Sequence, residues 1–385
     1  MTKLSKGDFV VVDPGKHEVK GMVFTRTGAI KGVFSFPSKS KKVRSFNNNE
    51  SSSNKQFRMV MGNKHYLVGE GVPAEFNADI TKTNEHHKLC VYASVSSLVD
   101  NNTEDINLVI GSPTNDFEVS ENIEKYKALI IGNNDGIVQL QMNSFNKSFN
   151  INSLEVYPEG MAVLPRTLKQ RPGKIHVVDI GGQNVNYRMY DAKGNTMNYF
   201  SLDYAGMNKL EQALKTELRF ALTSNSFDID SVDWSEAISK KQIQELDDLL
   251  EEEDGSLSGF DDSMDFMEET VLTFIEEQII NPLIRKGVNL RQKGHAILFT
   301  GGGSLRLEDY LKDILNDNAQ SFEISKTAKW DNCISYAIRY LSQVERDEKV
   351  VTKAVIKIIK AIKEPEFEET YNILDEAEEE EVTIG

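Results

Sequence analysis

Two short patterns, set 166 residues apart from Asp13 to Asp179, constrain this chain more than any other feature. The first is Phe9-Val-Val-Val-Asp13-Pro14-Gly15-Lys16. The second is Ile175-His-Val-Val-Asp179-Ile180-Gly181-Gly182. Each is an apolar run short enough for a buried strand, ending in Asp, with Gly two residues on. Each is followed by hairpin-like sequence: Lys20 to Phe36 in the first case, Asn186–Asp191 and Met197–Leu202 around Gly194 in the second. A repeat of this size implies a duplicated α/β domain, with a cleft between the copies as the natural binding place.

The residue types have a chemistry. An Asp at the end of a buried strand can hold Mg²⁺ through water, because Mg²⁺ keeps much of its hydration. Gly15, and the pair Gly181 and Gly182, permit tight turns whose backbone amides can face a phosphate. Lys16 sits in the first turn and Lys20 can return to it from the next strand. Gln183 and Asn184 close the second turn. A third pattern, Phe299-Thr300-Gly301-Gly302-Gly303-Ser304, links a strand at Ala296–Thr300 to helical spacing over Leu305–Leu315. Such a turn admits a flat ligand against the backbone, near the positive end of a helix. Taken singly, each pattern also reads as an ordinary hairpin or glycine turn; the recurrence in matched strand contexts gives them weight.

Charge narrows the function classes. The formal net charge is -16, yet residues 245–269 and 364–385 hold 22 acidic and no basic side chains, and the remainder is net positive. The acidity is therefore local, which speaks against a DNA mimic and against direct DNA binding. No stretch approaches the roughly 18 apolar residues of a membrane span, and no apolar segment follows the first lysines. A cytoplasmic protein is expected, with Cys90 and Cys333 reduced. The adjacent His86 and His87 would point in different directions on a helix and so make no shared metal face.

Helices are expected around Leu89–Val99, 205–222 and 264–284. The polar stretch 45–55 reads as a mobile loop. Residues 344–363 form an amphipathic C-terminal helix: Val351, Val355, Ile358 and Ile362 make one stripe, and Lys349, Lys353, Lys357, Lys360 and Lys363 crowd the rest. It either packs on the first domain or meets a subunit, an adaptor or a membrane surface. The acidic tail 364–385 follows it.

The order of these motifs resembles the actin, Hsp70 and sugar-kinase superfamily, and within it the plasmid-segregating bacterial actins, the ParM-like group with its Alp relatives. Phe36-Pro37-Ser38, Gly69, Val109-Ile-Gly-Ser-Pro113, Val156-Tyr-Pro-Glu-Gly160, Tyr204-Ala-Gly206 and Trp330-Asp-Asn332 add to the likeness, which spans about 8–343. The resemblance implies an actin-like two-domain fold of duplicated, RNase H-like mixed sheets flanked by helices, with an ATP cleft between the domains. Domain I would be 1–172 plus 329–343. Domain II would be 173–328, with an acidic insert at 245–269. Asp13, Gly15, Lys16 and Lys20 would then serve the first phosphate loop, and Asp179, Gly181, Gly182, Gln183 and Asn184 the second. Gly206 would join that site, and Gly301, Gly302 and Gly303 would lie at the adenosine. Glu159 would orient the attacking water, with Asp179 the next catalytic candidate, and Asp13 and Asp179 would hold Mg²⁺ through water.

ATP, with GTP as the alternative nucleotide, and Mg²⁺ are the implied cofactors. The implied partners are further copies in a head-to-tail filament and a DNA-bound adaptor protein of a plasmid partition system. Pro14, Asn184 and Ser335 depart from the family pattern, and the first two would slow hydrolysis. The rival readings are a small-molecule kinase of the same superfamily, for which no catalytic base is evident, and a non-segregating scaffold or cell-shape filament. An Hsp70-type chaperone would need room for a peptide-binding domain that the chain lacks.

Overall fold

Every residue of the first strand, Phe9–Pro14 (β1), is buried. A run that is apolar at each position belongs to a strand covered on both faces, and β1 is such a strand. Val10 and Val12 join one core cluster with Leu89 and Val95. Phe9 and Val11 join another with Ile334, Tyr336 and Ile358. The computed structural model describes residues 3–46, 53–73, 81–161, 173–223, 227–252, 256–290, 295–316, 321–363 and 367–371. Most of the expected mobile loop (47–52) and of the acidic tail lies outside them. The chain divides into two units, Met1–Thr167 with Trp330–Gly385, and Leu168–Lys329.

In the first unit, β1 pairs antiparallel with Glu18–Phe24 (β2), which pairs with Ile30–Pro37 (β3). Three short strands follow: Ser40–Val43 (β4), Gln56–Met61 (β5) and Lys64–Gly69 (β6). The helix Glu85–Leu98 (α1) starts where Asn84 accepts from the His87 amide, and it covers the Val10 face. Then come Asn102–Ser112 (β7), the short helix Thr114–Phe117 (α2), Ser120–Ile131 (α3), Ile137–Met142 (β8) and Phe145–Pro158 (β9). The nine strands lie in the order β3-β2-β1-β7-β9-β8-β5-β6-β4, with β1, β7 and β9 parallel.

The second unit repeats the central motif. Ile175–Ile180 (β10), Asn184–Tyr190 (β11) and Thr196–Asp203 (β12) form an antiparallel meander. Helix Met207–Ala221 (α4) buries Leu210, Leu214 and Leu218, one residue per turn, against Val178 and Ile180. Trp234–Lys240 (α5) comes next, and Gln244–Glu252 (α6) gives the start of the acidic insert regular structure. Within it Asp247 accepts from both the backbone amide and the hydroxyl of Ser263. A long helix (α7) begins as Ser263–Phe274, passes through a π-helical stretch at Ile275–Ile280 and ends as Asn281–Arg285. Ala296–Thr300 (β13), the short helix Gly302–Arg306 (α8), Glu308–Asn316 (α9) and Ser321–Ile324 (β14) complete the unit. The sheet order is β12-β11-β10-β13-β14, with β10, β13 and β14 parallel. This is the order of β3-β2-β1-β7-β9, so the sequence repeat is also a repeat of topology.

The chain then returns to the first unit as Asp331–Val344 (α10), Glu348–Ala361 (α11) and Phe367–Tyr371 (α12). Helix α11 packs Ala354, Ile358 and, just after it, Ile362 into the Phe9 core, with Val355 partly buried beside them. Of the apolar stripe expected there, Val351 is only half-buried, and Ala354 takes the deeper place because the helix axis lies close to Gly28. Leu305–Leu315 is two helices: the first turns at Leu307 before α9 begins.

Candidate functional site

The site in the first unit grows from a hairpin register. β1 and β2 pair so that Asp13 lies opposite Lys20, and the Lys20 ammonium donates to Asp13 Oδ2 at 3.4 Å. The turn between them closes with the Gly15 amide on the Asp13 carbonyl. A side chain at Gly15 would put its Cβ 2.5 Å from the Glu18 carbonyl oxygen, so the turn admits only glycine. Lys16 is buried, with its ammonium donating to the Thr81 carbonyl at 2.9 Å.

Around Asp13 converge residues far apart in sequence. Asn332, at the start of α10, donates to Asp13 Oδ2 at 3.4 Å and accepts from the Gly160 amide at 3.1 Å. Lys82, only 1% exposed, pairs with Glu159 Oε1 and lies 3.8 Å from Asp13 Oδ1. Its ammonium also reaches the Gly111 carbonyl. Glu159 follows the end of β9, fixed by its amide donating to Ser112 and by its carbonyl accepting from Thr114 Oγ1. So Asp13, Lys20, Lys82, Glu159 and Asn332 form one buried, charge-alternating cluster.

Lys82 is the functional candidate that sequence reasoning missed. It stands in Thr81-Lys-Thr-Asn84, with no motif around it. Its partners lie 69 and 77 positions away, a distance only tertiary structure closes. Asn332 was noted in Trp330-Asp-Asn332 without a role.

The second unit places Asp179 by the same register. Asp179 lies opposite Asn186, seven positions on, as Asp13 lies opposite Lys20. Here the partner is neutral: Asn186 donates to Asp179 Oδ2 at 3.4 Å. The Gly181 amide closes the turn on the Asn184 carbonyl. The N-terminus of α4 sits on this turn, with the Met207 and Asn208 amides donating to the carbonyls of Gly181 and Gly182. That contact explains Gly206, whose added Cβ would meet Gly181 and Gly182 backbone at 2.6 Å. Gln183 is buried and its carbonyl accepts from the Gly206 amide. Asn184 turns inward, donating to Asn186 Oδ1 and Ser201 Oγ.

Gly301 has φ +83°, and a Cβ there would meet Asp179 Oδ1 at 2.3 Å. The first glycine of the triplet is thus demanded by Asp179 itself. Gly303 packs on Ile180, whereas a side chain at Gly302 would enter open space.

Each of the two aspartates, taken in its own unit, suits a hard divalent cation reached through water. Asp13 is 3% exposed, and its Oδ1 accepts no hydrogen bond. Such a buried carboxylate oxygen matches the oxygen-only preference of Mg²⁺. Asp179 is equally buried, beside a turn without Cβ atoms.

The histidine pair lies next to this cluster and not in it. His86 is held by Ser38 and Ser40, His87 by Asn84, and the rings stand at 86°. Burial, then the nearby Lys16 charge, lowers the His86 pKa to about 4 and holds that of His87 well below the usual imidazole range. Cys90 and Cys333 are buried and free, and burial raises both thiol pKa values.

Residues 12–161 match the family of actin-like proteins at its N-terminal domain. No curated protein matches the chain in sequence. Several solved structures are similar to it. A 15-stranded ParM filament from Clostridium botulinum is 17% identical, with 89% of this chain and 100% of that one covered at a TM-score of 0.63. The Alp12 filament is 20% identical, covering 87% and 99% at 0.56. Ta0583, an archaeal actin homologue in complex with ADP, is 15% identical, covering 88% and 99% at 0.61. At these identities the likeness is one of fold.

Proposed function

From the premise that this chain is a ParM- and Alp-like protein of the actin fold, with residues 12–161 its actin-like N-terminal domain, we propose that it is a cytoplasmic, Mg²⁺-dependent ATPase that polymerises into filaments and segregates plasmid DNA through a DNA-bound adaptor protein. The observation that carries the reading is the buried cluster of Asp13, Lys20, Lys82, Glu159 and Asn332. A structural ion pair needs two groups; this cluster holds two carboxylates and two ammoniums beside a glycine turn, where burial is costly unless charge is needed.

The contacts support the following roles. Lys20 and Lys82 neutralise phosphate charge. The glycine turns at Gly15 and at Gly181 and Gly182 let phosphates approach the backbone. Gly301, Gly302 and Gly303 make room for the adenosine, and the open side of Gly302 supports this. Glu159 holds the attacking water, oriented by Lys82 and by the Thr114 and Ser112 bonds to its backbone. Asp13 and Asp179 would hold Mg²⁺ through water, which when bound supplies charge neutralisation at the phosphates. Phosphoryl transfer asks for positioning and electrostatics more than covalent chemistry, and this set provides both. Among the described residues no helix is long and apolar enough to cross a membrane.

The test has three parts. Mg²⁺-ATP should raise the melting temperature by mass action, and Asp13→Ala should remove the Mg²⁺-dependent part. ATP should drive concentration-dependent sedimentation with a critical concentration. Glu159→Ala should keep both but slow phosphate release about 10²-fold. An unchanged melting curve at millimolar ATP would end the proposal.

A further inference from the structure

The second unit carries a groove of about 320 Å³ between α4 and α7. Its lining includes Ala213 and Glu217 from α4, Phe260, and Glu269, Phe274 and Glu277 from α7. Lys209 adds a single positive charge to three negative ones. The floor is apolar and the rim acidic, and Asp261, Asp262, Asp265 and Glu268 extend the negative field along the start of α7. One wall is the π-helical stretch Ile275–Ile280, a departure from regular helix that recurs at functional positions.

The first unit carries the complement. Helix α11 turns Ala354 and Ile358 into the core. Its opposite face presents Lys353, Ile356, Lys357 and Lys360, all exposed. These positions follow helical spacing and form one ridge. Ile356 is 60% exposed in the middle of it. A large aliphatic side chain flanked by flexible cations is composed like an interface anchor with a charged surround.

We infer that the α11 ridge of one copy docks into the α4–α7 groove of a second copy, with Ile356 on the apolar floor and the lysines against Glu217, Glu269 and Glu277. The occupant is a second copy because a cationic ridge with an apolar centre complements an apolar floor with an acidic rim, and both belong to this chain. The two surfaces are different, so the contact is heterologous, and each copy keeps one free ridge and one free groove. Repetition of such a contact extends the assembly copy by copy, as the assembly reading requires. The inference rests on the assembly reading above and assigns it a contact. Added salt should weaken it, since its charges are at the surface.

The experiment uses full-length protein with Mg²⁺-ATP. A groove variant, Glu269→Lys with Glu277→Lys, and a ridge variant, Lys353→Glu with Lys357→Glu, should each raise the critical concentration about tenfold or more. Both should keep the nucleotide-dependent melting shift. Mixing the two variants should restore sedimentation, because wild-type ridge meets wild-type groove and reversed ridge meets reversed groove in alternation. In parallel, Ile356→Cys protein mixed with Glu277→Cys protein should give a dimer band with a short bis-maleimide, the native cysteines being buried.

Unchanged critical concentrations, or two defective variants that fail to rescue each other and give no dimer band, overturn the inference while leaving the assembly reading intact. A wild-type protein that binds ATP and never sediments overturns both. Anionic phosphatidylserine vesicles that bind wild type but not the ridge variant, with assembly unaltered, would give the ridge to a membrane surface and overturn the inference as well.

Discussion

Lys82→Met is the substitution that tests the central cluster most directly. Methionine is close to lysine in length and volume, so packing changes little. What is removed is the ammonium paired with Glu159 and lying 3.8 Å from Asp13 Oδ1. Asp13 keeps Lys20 and Asn332 at 3.4 Å, so its loss is partial. Glu159, 6% exposed, loses the ammonium paired with its Oε1 while its charge stays buried. Breaking a buried pair costs about 3–5 kcal/mol, and the lower end, about 3 kcal/mol, applies because Asp13 keeps Lys20 and Asn332. Glu159→Gln should cost about 2 kcal/mol, since the amide still accepts a hydrogen bond but no longer pairs as a charge. The double variant should lose less than the sum by about 1–3 kcal/mol, the coupling expected of residues in one ion-paired network.

Urea unfolding reads this in the first unit alone if Trp234 is replaced by Phe. Trp330 is then the one tryptophan left of the chain's two, and it sits in the core of that unit. Additive losses, or a Lys82→Met protein as stable as wild type, would refute the view that Lys82 and Glu159 act as one buried unit.

Gly301→Ala should destabilise the second unit by several kcal/mol and abolish nucleotide binding, because φ +83° disfavours a side chain and the added Cβ meets Asp179 at 2.3 Å; thermal unfolding followed through Trp234 measures it. The fold should weaken on acidification from about pH 6.5 towards pH 4. His86 and His176 both have pKa values lowered to about 4, chiefly by burial. The unfolded chain therefore binds the extra protons in that window, and each histidine contributes a loss of at most ~1.4 kcal/mol per pH unit. His176→Asn should flatten the slope in urea titrations at pH 7, 6 and 5. Cys90 and Cys333, both buried with raised thiol pKa values, should react with maleimide only as fast as the first unit opens, and urea below the unfolding transition should accelerate labelling. Ile358→Ala, which empties part of the core between α11 and β1, should cost about 2–5 kcal/mol in the same unfolding assay.

Much of this protein was legible in its one-dimensional pattern. Apolar runs ending in Asp-x-Gly announce buried strands that feed tight turns, and their recurrence announced two units of the same topology. The hairpin that follows each Asp sets which side chain lies opposite it, so Lys20 beside Asp13 was within reach. Gly301 stood out as a glycine, although only the folded chain shows that Asp179 is the atom it makes room for. The helices α4 and α7 were visible because an amphipathic face has a period. What the sequence could not disclose is what the fold brings together across long separations. Lys82 lies in an unremarked polar stretch, and its role comes from Asp13 and Glu159 being delivered to it by β1 and β9. Asn184 looked like a ligand-facing residue of its turn and instead bonds inward to Asn186 and Ser201, because side-chain direction in a tight turn depends on the strands behind it. A local pattern encodes secondary structure and turns, for which neighbours along the chain supply the energy. The buried charge cluster draws its stability from residues dozens of positions apart, so only the tertiary structure decides it.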